Sequence, residues 1–485
     1  MEIANLTPAE RRVWWAFPRG ETVDFRQGPG DGPEDGGSWG PERTVRAEVL
    51  RTLLLGGAAA DGHVAALRVE GARITGTLDL RYGEVAWAVR LAHCRFEESP
   101  RLYGARTRHL TLSGSVLPGL SAATAQVDGM LRLTDCRFDA ALSLGGARVS
   151  GAVFLDGARV TGPPGETALR LDRMTVEGDL WARNLVVAGG VWMAGTTVNG
   201  QITLDDADLR GDGDALDAES LTVGSALYAN RLRCAGRLNL RGATVPGQLV
   251  LAEARLSNPG GLALRASSAT IGELWLRDAA PIRGAVNLRR SQLGLLHILP
   301  DVWPDSVALE GLTFGALLPR LPAKPRVAVL ERDEAGYVPH SYEQLAAAYL
   351  AVGDDKAARN VQLAKQRRRR GTLRLYGKVW GHLQDYAVGY GFRPMRAAGW
   401  LVALMLVGSL AYRARPPQPL KPGEAPPFNP PFYTLDLLLP IIDFGQEKAF
   451  KPTGAYQWLA YTLILAGWVL ATTIVAGVTR AVSRS

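Results

Sequence analysis

The chain has 485 residues, of which 47% are hydrophobic and 21% charged, and this composition excludes a wholly disordered protein. Its three cysteines form no CxxC pair, which excludes a disulfide scaffold and a Cys-type zinc ribbon and fits a reducing compartment. The net charge of +8 is concentrated in residues 315–485, which hold 22 Lys and Arg against 11 Asp and Glu, whereas residues 64–314 are neutral and predict no nucleic-acid platform.

Residues 1–63 predict an N-terminal helical cap with a flexible Gly/Pro link. Thr7, Pro8 and Glu10 have the spacing of an N-cap, a first helical position and a capping-box partner. Residues 27–42 are rich in Gly and Pro and predict the link, and a second amphipathic helix is expected over roughly 44–55. Its expected role is to cover the open end of the next domain, where strand edges would otherwise be exposed.

Residues 64–314 contain an internal repeat. Apolar residues recur every 11 positions, as in Leu131, Leu142 and Val153, and inward pairs two residues apart predict two short strands per unit. Two units, or 22 residues, would close one four-sided turn, so that the segment holds roughly 11 turns at about 4.8 Å each. Glycines before many units, such as Gly272, are expected at the corners. In residues 97–129 the spacing of the apolar residues is irregular.

This spacing resembles that of the pentapeptide-repeat family, with Ala147, Ala158 and Ala207 in its small-residue position. The resemblance implies a right-handed quadrilateral β-helix. We therefore predict a mainly β fold: a right-handed quadrilateral parallel β-helix (solenoid) with an N-terminal helical cap, a helical hairpin and two C-terminal transmembrane helices.

One outward position on alternate repeat units is apolar or aromatic. It is occupied by Phe154, Trp181, Tyr228 and Trp275, and we call these four residues the aromatic stripe. The stripe predicts a docking surface for a partner, and the alternative is a ladder of rings that only stiffens the solenoid.

A dense acidic cluster at 205–219 suits either a calcium site or a solvated corner loop, and the second is favoured because an EF-hand spacing is lacking.

Residues 315–392 predict a helical hairpin followed by a basic amphipathic juxtamembrane segment. Helices are expected over 341–352 and 356–370, with a turn between them. The residues predicted to lie on anionic headgroups are Arg367, Arg368, Arg369, Arg370, Lys378, Arg393 and Arg396. RNA binding or nuclear targeting is the competing interpretation, and the position of the basic run before an apolar segment favours the membrane.

Residues 393–485 predict a two-span membrane hairpin. Residues 397–412 and 455–478 carry no charge, and the first is short for a span. The flank 315–396 holds 15 Lys and Arg, whereas the loop 413–454 holds five against four acids. The positive-inside rule then predicts a multi-pass protein of the cytoplasmic membrane with the β-helix and both termini in the cytoplasm and the loop outside.

The loop between the two apolar segments resembles the pore loop of potassium channels, whose filter follows a short helix. A short apolar helix is expected over 432–440, and the pore-loop-like residues are Ile441, Ile442, Asp443, Phe444 and Gly445. Phe444 and Gly445 match the filter motif, whereas Ile441 replaces its threonine and Asp443 its first glycine. We therefore expect a pore-like hairpin with a degenerate filter.

The whole chain resembles actinobacterial two-span β-helical proteins, which are sometimes labelled membrane-associated oxidoreductases. The sequence contains no HExxH, GxGxxG opening a helix, GxxxxGK[ST] or GxSxG motif, so we predict no catalytic residue, cofactor or metal. The predicted function is a membrane-anchored cytoplasmic scaffold or sensor that binds a protein or polymer. The alternatives are a subunit of an oligomeric channel-like pore and a membrane-associated enzyme, either an oxidoreductase or one acting on a polymer. The expected partners are the membrane and a protein, with a homo-oligomer as an alternative and no nucleic acid.

Overall fold

The computed structural model describes residues 5–28, 30–163, 165–372, 394–421, 423–439 and 442–482, with only the backbone described at 394–395 and 473–482. The chain divides into two compact units, Met1–Gln344 and Leu345–Ser485. The first unit is a parallel β-solenoid of about 11 turns with helices at both ends, and the second is helical.

The solenoid strands form two large parallel sheets. The first sheet contains Thr22–Asp24, Ala66–Glu70, Glu84–Val85, Ala88–Ala92, Arg106–Thr107, Leu110–Thr111, Gln126–Val127, Leu131–Arg132, Arg148–Val149, Val153–Phe154, Thr175–Val176, Leu180–Trp181, Thr197–Val198, Ile202–Thr203, Thr222–Val223, Leu227–Tyr228, Thr244–Val250, Thr270–Trp275, Gln292–His297 and Thr313–Leu318. The second contains Thr44–Arg46, Arg73–Thr75, Arg95–Phe96, Val116–Leu117, Leu120–Ser121, Arg137–Phe138, Leu142–Ser143, Arg159–Thr161, Leu169–Arg170, Val186–Ala188, Val191–Trp192, Asp208–Asp217, Arg233–Asn239, Arg255–Arg265, Arg283–Asn287 and Val307–Ala308.

The predicted period of 22 residues is confirmed by the strand register. Leu131 pairs with Val153, and the chain between them passes through three further strands, so each regular turn has four. The inward residues of every turn join one continuous apolar core, because strand side chains alternate between the two faces of a sheet. The solenoid is therefore a filled rod rather than a hollow tube.

Residues 97–129 depart from the 22-residue spacing, as expected, but their strands continue the solenoid in register. Leu110 pairs with Leu131, 21 residues on, and Arg106 pairs with Gln126, 20 residues on. These turns have lost one or two corner residues, which shifts the apolar spacing in the sequence but leaves the strands in register. A corner can be shortened in this way because its outward residues make no contribution to the core.

The corner glycines avoid contacts that a Cβ would make with the neighbouring turn. Asp135, Asn184 and Asp206 occupy tight corners in the left-handed region, with φ of 54°, 54° and 59°. Gly272 has no positive φ, but a Cβ there would lie 2.1 Å from the Pro246 carbonyl oxygen of the turn below. Glycine is needed at such positions for the close approach of successive turns.

The N-terminal cap contains two helices, a paired strand and short 3₁₀ turns. Helix α1 (Pro8–Ala16) has the predicted capping box, with Thr7 and Glu10 bonding each other's backbone N–H groups. Residues 44–46 form a strand that pairs with Arg73–Thr75, and α2 (Ala47–Gly56) follows. Short 3₁₀ turns lie at Pro33–Ser38 and Pro41–Arg43, and the Arg43 guanidinium stacks 3.7 Å from the ring centre of Trp39.

Both ends of the solenoid core are covered by helices. Apolar side chains of α1 and α2 belong to the same core cluster as the first turns, and Val329 of α3 (Ala323–Leu330) belongs to it at the other end. The open coil ends are thereby shielded from pairing with other strands.

The second unit contains the remaining helices. Helix α4 (Pro339–Ala351) crosses the boundary between the units and is followed by α5 (Asp355–Gly371). Beyond residue 393 lie α6 (Pro394–Ala414), α7 (Pro430–Leu438), α8 (Gln446–Ala449) and α9 (Ala455–Val482), with a short antiparallel pair of Gln418–Pro419 and Phe450–Lys451.

Candidate functional site

The four residues of the aromatic stripe lie on one ladder of the first sheet. Each occupies the outward position of its strand, because the preceding residue, such as Leu180 before Trp181, is buried in the core. In order along the ladder, paired neighbours are Phe154, Trp181, Thr203, Tyr228, Val250, Trp275 and His297. Trp181, Tyr228 and Trp275 therefore recur on every second turn.

The stripe side chains are half-buried, and Phe154, Trp181 and Trp275 each contact a charged neighbour. The Arg132 guanidinium lies 4.1 Å from the ring centre of Phe154, and that of Arg183 lies 5.0 Å from Trp181. The Trp275 indole N–H donates to Glu273 Oε2 at 2.8 Å. The rings form a fixed platform, which lowers the entropic cost of binding a partner there.

Two polar groups of the platform remain available. Among the described residues, neither the Trp181 indole N–H nor the Tyr228 hydroxyl has a hydrogen-bond partner. Thr203, between these two rings, is only 4% exposed. The buried Thr203 therefore offers a partner no contact between the two rings. The available hydrogen-bond donors are those of the Trp181 and Tyr228 rings.

His297 extends the stripe and was missed in the sequence. Its ring stacks on Trp275 with centroids 4.8 Å apart and planes 17° from parallel. Burial lowers its pKa, and Nδ1 has no partner among the described residues. Its position 22 residues after Trp275 was the signal that could have identified it.

A polar groove of about 970 Å³ runs along another side of the solenoid. Its charged lining consists of Asp135, Asp156, Arg159, Asp206, Asp208, Arg231, Arg233, Glu253, Arg255 and Asp278. An enzyme acting on a polymer would need acids and bases gathered in one groove in this way. The sequence analysis did not identify the groove, although Arg159, Asp208, Arg233 and Arg255 lie on one ladder and their repeat spacing was a signal that could have shown it.

The carboxylates of this groove whose pKa is shifted are more acidic than usual. Hydrogen bonds from Arg231 lower the pKa of Asp206, and those from Arg210 lower that of Asp208. A general acid needs a carboxyl whose pKa is raised toward neutrality. The pKa shifts of Asp206 and Asp208 have the opposite sign, so neither of these two carboxyls is poised as a general acid.

The acidic cluster at 205–219 lies partly on a strand, Asp208–Asp217, and not entirely in a loop. Four of its seven carboxylates pair with arginines on the same or the next turn: Asp206 with Arg231, Asp208 with Arg210, Asp214 with Arg237 and Glu219 with Arg241. Within the described residues there is no group of three or more His, Cys, Asp or Glu that could hold a metal ion.

All three cysteines are free and buried in the solenoid. Burial raises the pKa of Cys94, Cys136 and Cys234 to about 12. Because the thiolate is the reactive form, these thiols are inert packing groups at neutral pH.

Helices α6 and α9 are antiparallel neighbours. Ala397 and Leu470 share one small core, and at the other end the Tyr412 hydroxyl donates to the Tyr456 carbonyl at 3.1 Å. The short helix α7 packs against both at glycines: a Cβ on Gly408 would meet Thr434, and one on Gly467 would lie 2.1 Å from the Leu438 carbonyl oxygen. The two glycines allow this close packing.

The predicted pore-loop residues are held by a buried carboxylate. Asp436 of α7 accepts from the backbone N–H of Phe444 at 2.5 Å, of Gln446 at 2.7 Å and of Glu447 at 3.1 Å. Ile441 lies outside the described residues, whereas Ile442, Asp443 and Phe444 are exposed and Gly445 has φ of 77°. Sequence reasoning named the loop but missed Asp436.

The predicted membrane-surface residues lie in two places. Arg367, Arg368 and Arg369 are exposed at the end of α5, with Arg370 half-buried beside them. Arg396 is exposed in the first turn of α6, and Lys378 and Arg393 lie outside the described residues.

Of the residues described, one helical stretch, Arg396–Ala414, is long and apolar enough to cross a membrane. Only 17% of it is buried. Neither a family model, a curated protein nor a solved structure matches the chain.

Proposed function

We propose that this protein is a membrane-anchored cytoplasmic scaffold or sensor, without catalytic activity, that binds a protein or polymer through the aromatic stripe. The observation that carries the proposal is the alignment of Trp181, Tyr228 and Trp275 on alternate turns of one ladder. Half-buried aromatic residues on a rigid support are typical of binding hot spots. A ladder serving only to stiffen the solenoid would have no need of free N–H and O–H donors.

The finer fold assignment belongs to the same proposal. We take the solenoid to be right-handed and four-sided, of the pentapeptide-repeat type, as in the actinobacterial proteins that the sequence resembles. The four strands per regular turn and the small residues Ala147, Ala158 and Ala207 facing the core support it.

We further propose that α6 and α9 both span the cytoplasmic membrane. Their exposed faces support this, because Leu410 is 66%, Leu465 69% and Trp458 74% exposed. Such faces are unfavourable in water and favourable in lipid, where a large side chain gains about 1.5–3 kcal/mol on leaving water. Arg367–Arg370, with Lys378, Arg393 and Arg396, would then bind anionic headgroups on the cytoplasmic side.

The membrane arrangement is tested by fractionation and labelling. Deletion of 395–485 should move the protein from the membrane fraction to the soluble fraction. A cysteine introduced at Glu424, in the loop predicted to lie outside, should react with an impermeant maleimide in intact cells. Reaction of a cysteine introduced at Glu177 on the solenoid in intact cells would contradict a cytoplasmic solenoid.

The docking surface is tested by partner recovery with the full chain. Trp181, Tyr228 and Trp275 are replaced together by Ser, and crosslinked partners are quantified from membranes. Trp192→Ser is the matched control, since Trp192 is also half-buried and outward but lies on a ladder of the second sheet. Recovery that falls with the triple variant and not with the control supports the stripe, and equal recovery refutes it.

A channel-like pore is the second candidate function. The observation that favours it is the packing of the short helix α7 against α6 and α9, as a pore helix packs between two spans. Crosslinking in membranes should give a tetramer, and planar bilayers should carry single-channel currents. A monomer without current eliminates this candidate and leaves the anchored scaffold.

A further inference from the structure

The spacing of the aromatic stripe selects among the shapes that a partner can present. Successive turns of the solenoid are about 4.8 Å apart, so rings on every second turn repeat at about 9.6 Å. From Trp181 to Trp275 the stripe covers four turns, or two ring repeats, about 19 Å. A linear ligand that contacts all three rings in the same way must share this repeat.

Of the regular peptide conformations, polyproline II matches the repeat. Three of its residues rise about 9.3 Å and return the same side to the surface. Over two repeats it falls out of step with the three rings by only about 0.6 Å. An extended strand returns the same side every 6.6–6.8 Å or so, which puts the middle ring out of phase. An α-helix with a pitch of about 5.4 Å meets the second and third rings on different sides.

The polar groups around the stripe suit the same ligand. A polyproline II segment makes no internal hydrogen bonds, so its carbonyl oxygens need donors, and the Trp181 indole N–H and the Tyr228 hydroxyl are unpaired among the described residues. Glu273 lies beside the third ring, and its Oε2 accepts from Trp275 and Gln248. No Lys or Arg in the described part of the chain forms an ion pair with Glu273, so its negative charge is available to a basic residue of the ligand.

We propose that the aromatic stripe binds a proline-rich segment of a partner protein in the polyproline II conformation. Residues at every third position stack on Trp181, Tyr228 and Trp275, and a basic residue at the Trp275 end pairs with Glu273. The inference rests on the proposed function, because it names the occupant of the same surface. Proline-rich ligands are suited to such a platform because their conformation is already set before binding.

The test is a fluorescence-polarisation titration of the full-length protein in detergent. The probe is a labelled peptide with proline at every third position and one terminal arginine. A peptide of the same composition in scrambled order is the control, and β-1,4-linked glucose and N-acetylglucosamine oligomers are unlabelled competitors. Saturable binding of the probe, at least tenfold tighter than that of the scrambled peptide and not displaced by the sugars, is the expected result.

Variants assign the binding to the stripe. Trp181→Ala, Tyr228→Ala and Trp275→Ala should each weaken it at least tenfold, whereas Trp192→Ala should leave it unchanged. Glu273→Gln should weaken binding of the arginine peptide but not of a peptide without arginine. Tyr228→Phe keeps the ring and removes the hydroxyl donor, so an intermediate loss of affinity for the peptide is expected. This variant serves as the readout if an alanine variant does not fold.

Three results would overturn the inference: no binding of the probe, equal binding of the scrambled peptide, or displacement by the sugar oligomers, which would assign the stripe to a glycan. If the triple serine variant still abolishes partner recovery in such a case, the docking surface stands and only the proline-rich occupant is refuted. If partner recovery is unaffected by that variant, the proposed function itself fails.

Discussion

The carboxylate of Asp436 should determine the conformation of the loop between α7 and α8. In Asp436→Asn, the amide oxygen can still accept from Phe444 at the Oδ1 position, but an NH₂ group takes the place of Oδ2. That group would face the N–H groups of Gln446 and Glu447, which Oδ2 now accepts at 2.7 and 3.1 Å. Two donors would then lose a charged acceptor in a buried position, since Asp436 is only 5% exposed.

The magnitude follows from these two bonds. A hydrogen bond to a charged group contributes roughly 1.5–3 kcal/mol, and the lower value for each gives about 3 kcal/mol. Since each 1.4 kcal/mol is a factor of about ten, the open form of the loop should become about a hundredfold more populated.

Limited trypsin digestion in detergent measures this population, because Lys448 in α8 is exposed. We expect cleavage after Lys448 to be about a hundredfold faster in Asp436→Asn. Asp443→Asn is the matched control in the same loop. Asp443 is exposed and its contact with Lys448 is a surface ion pair, so its loss should change the rate by about twofold or less. Equal cleavage rates in the two variants, or no change in Asp436→Asn, would refute the reasoning.

Three further outcomes are expected. Gly272→Ala should lower the stability of the solenoid by about 1–3 kcal/mol in chemical denaturation, because its Cβ would meet the Pro246 carbonyl, whereas Gly213→Ala, in open space, should not. The hydrogen bond from Arg81 lowers the pKa of Asp79 from 3.8 to about 2, so the stability that it contributes is complete above pH 4 and is lost as the pH falls through about 2. Asp79→Asn should accordingly melt below the wild type at pH 5, and the difference should shrink at pH 2. The three cysteines, whose pKa is about 12, should resist maleimide in the folded protein and react after unfolding, and modification of the native protein by mass spectrometry would contradict their burial.

The solenoid could be predicted from the sequence because its core residues recur at a short, constant spacing. Each turn contributes the same inward positions, so Leu131 and Val153 reveal their pairing through spacing alone. The aromatic stripe could be found in the same way, since each outward residue is next to an inward residue in the sequence and therefore recurs at the same spacing. Where corners were shortened by one or two residues, as between Arg106 and Gln126, the period was hidden although the strands still pair.

The sites that the sequence did not reveal depend on which charged and polar groups meet in space. The groove takes a few charged residues from each of several turns, and which of them face one another depends on the corner conformations. Asp436 is eight residues before Phe444 in the chain, and nothing in that spacing indicates that its carboxylate collects three backbone N–H groups.

By itself the sequence determined the stacked-coil architecture, the capping box of α1 and the outward alignment of the aromatic residues, because these depend on local alternation and on one repeating distance. Only the tertiary structure decided that glycines such as Gly272 serve close approach between turns, that four carboxylates of the acidic cluster pair with arginines of the same and neighbouring turns, and that Asp436 fixes the loop. These features depend on which groups from distant parts of the chain meet within a few ångströms, and hydrogen bonds and steric contacts are decided at that distance.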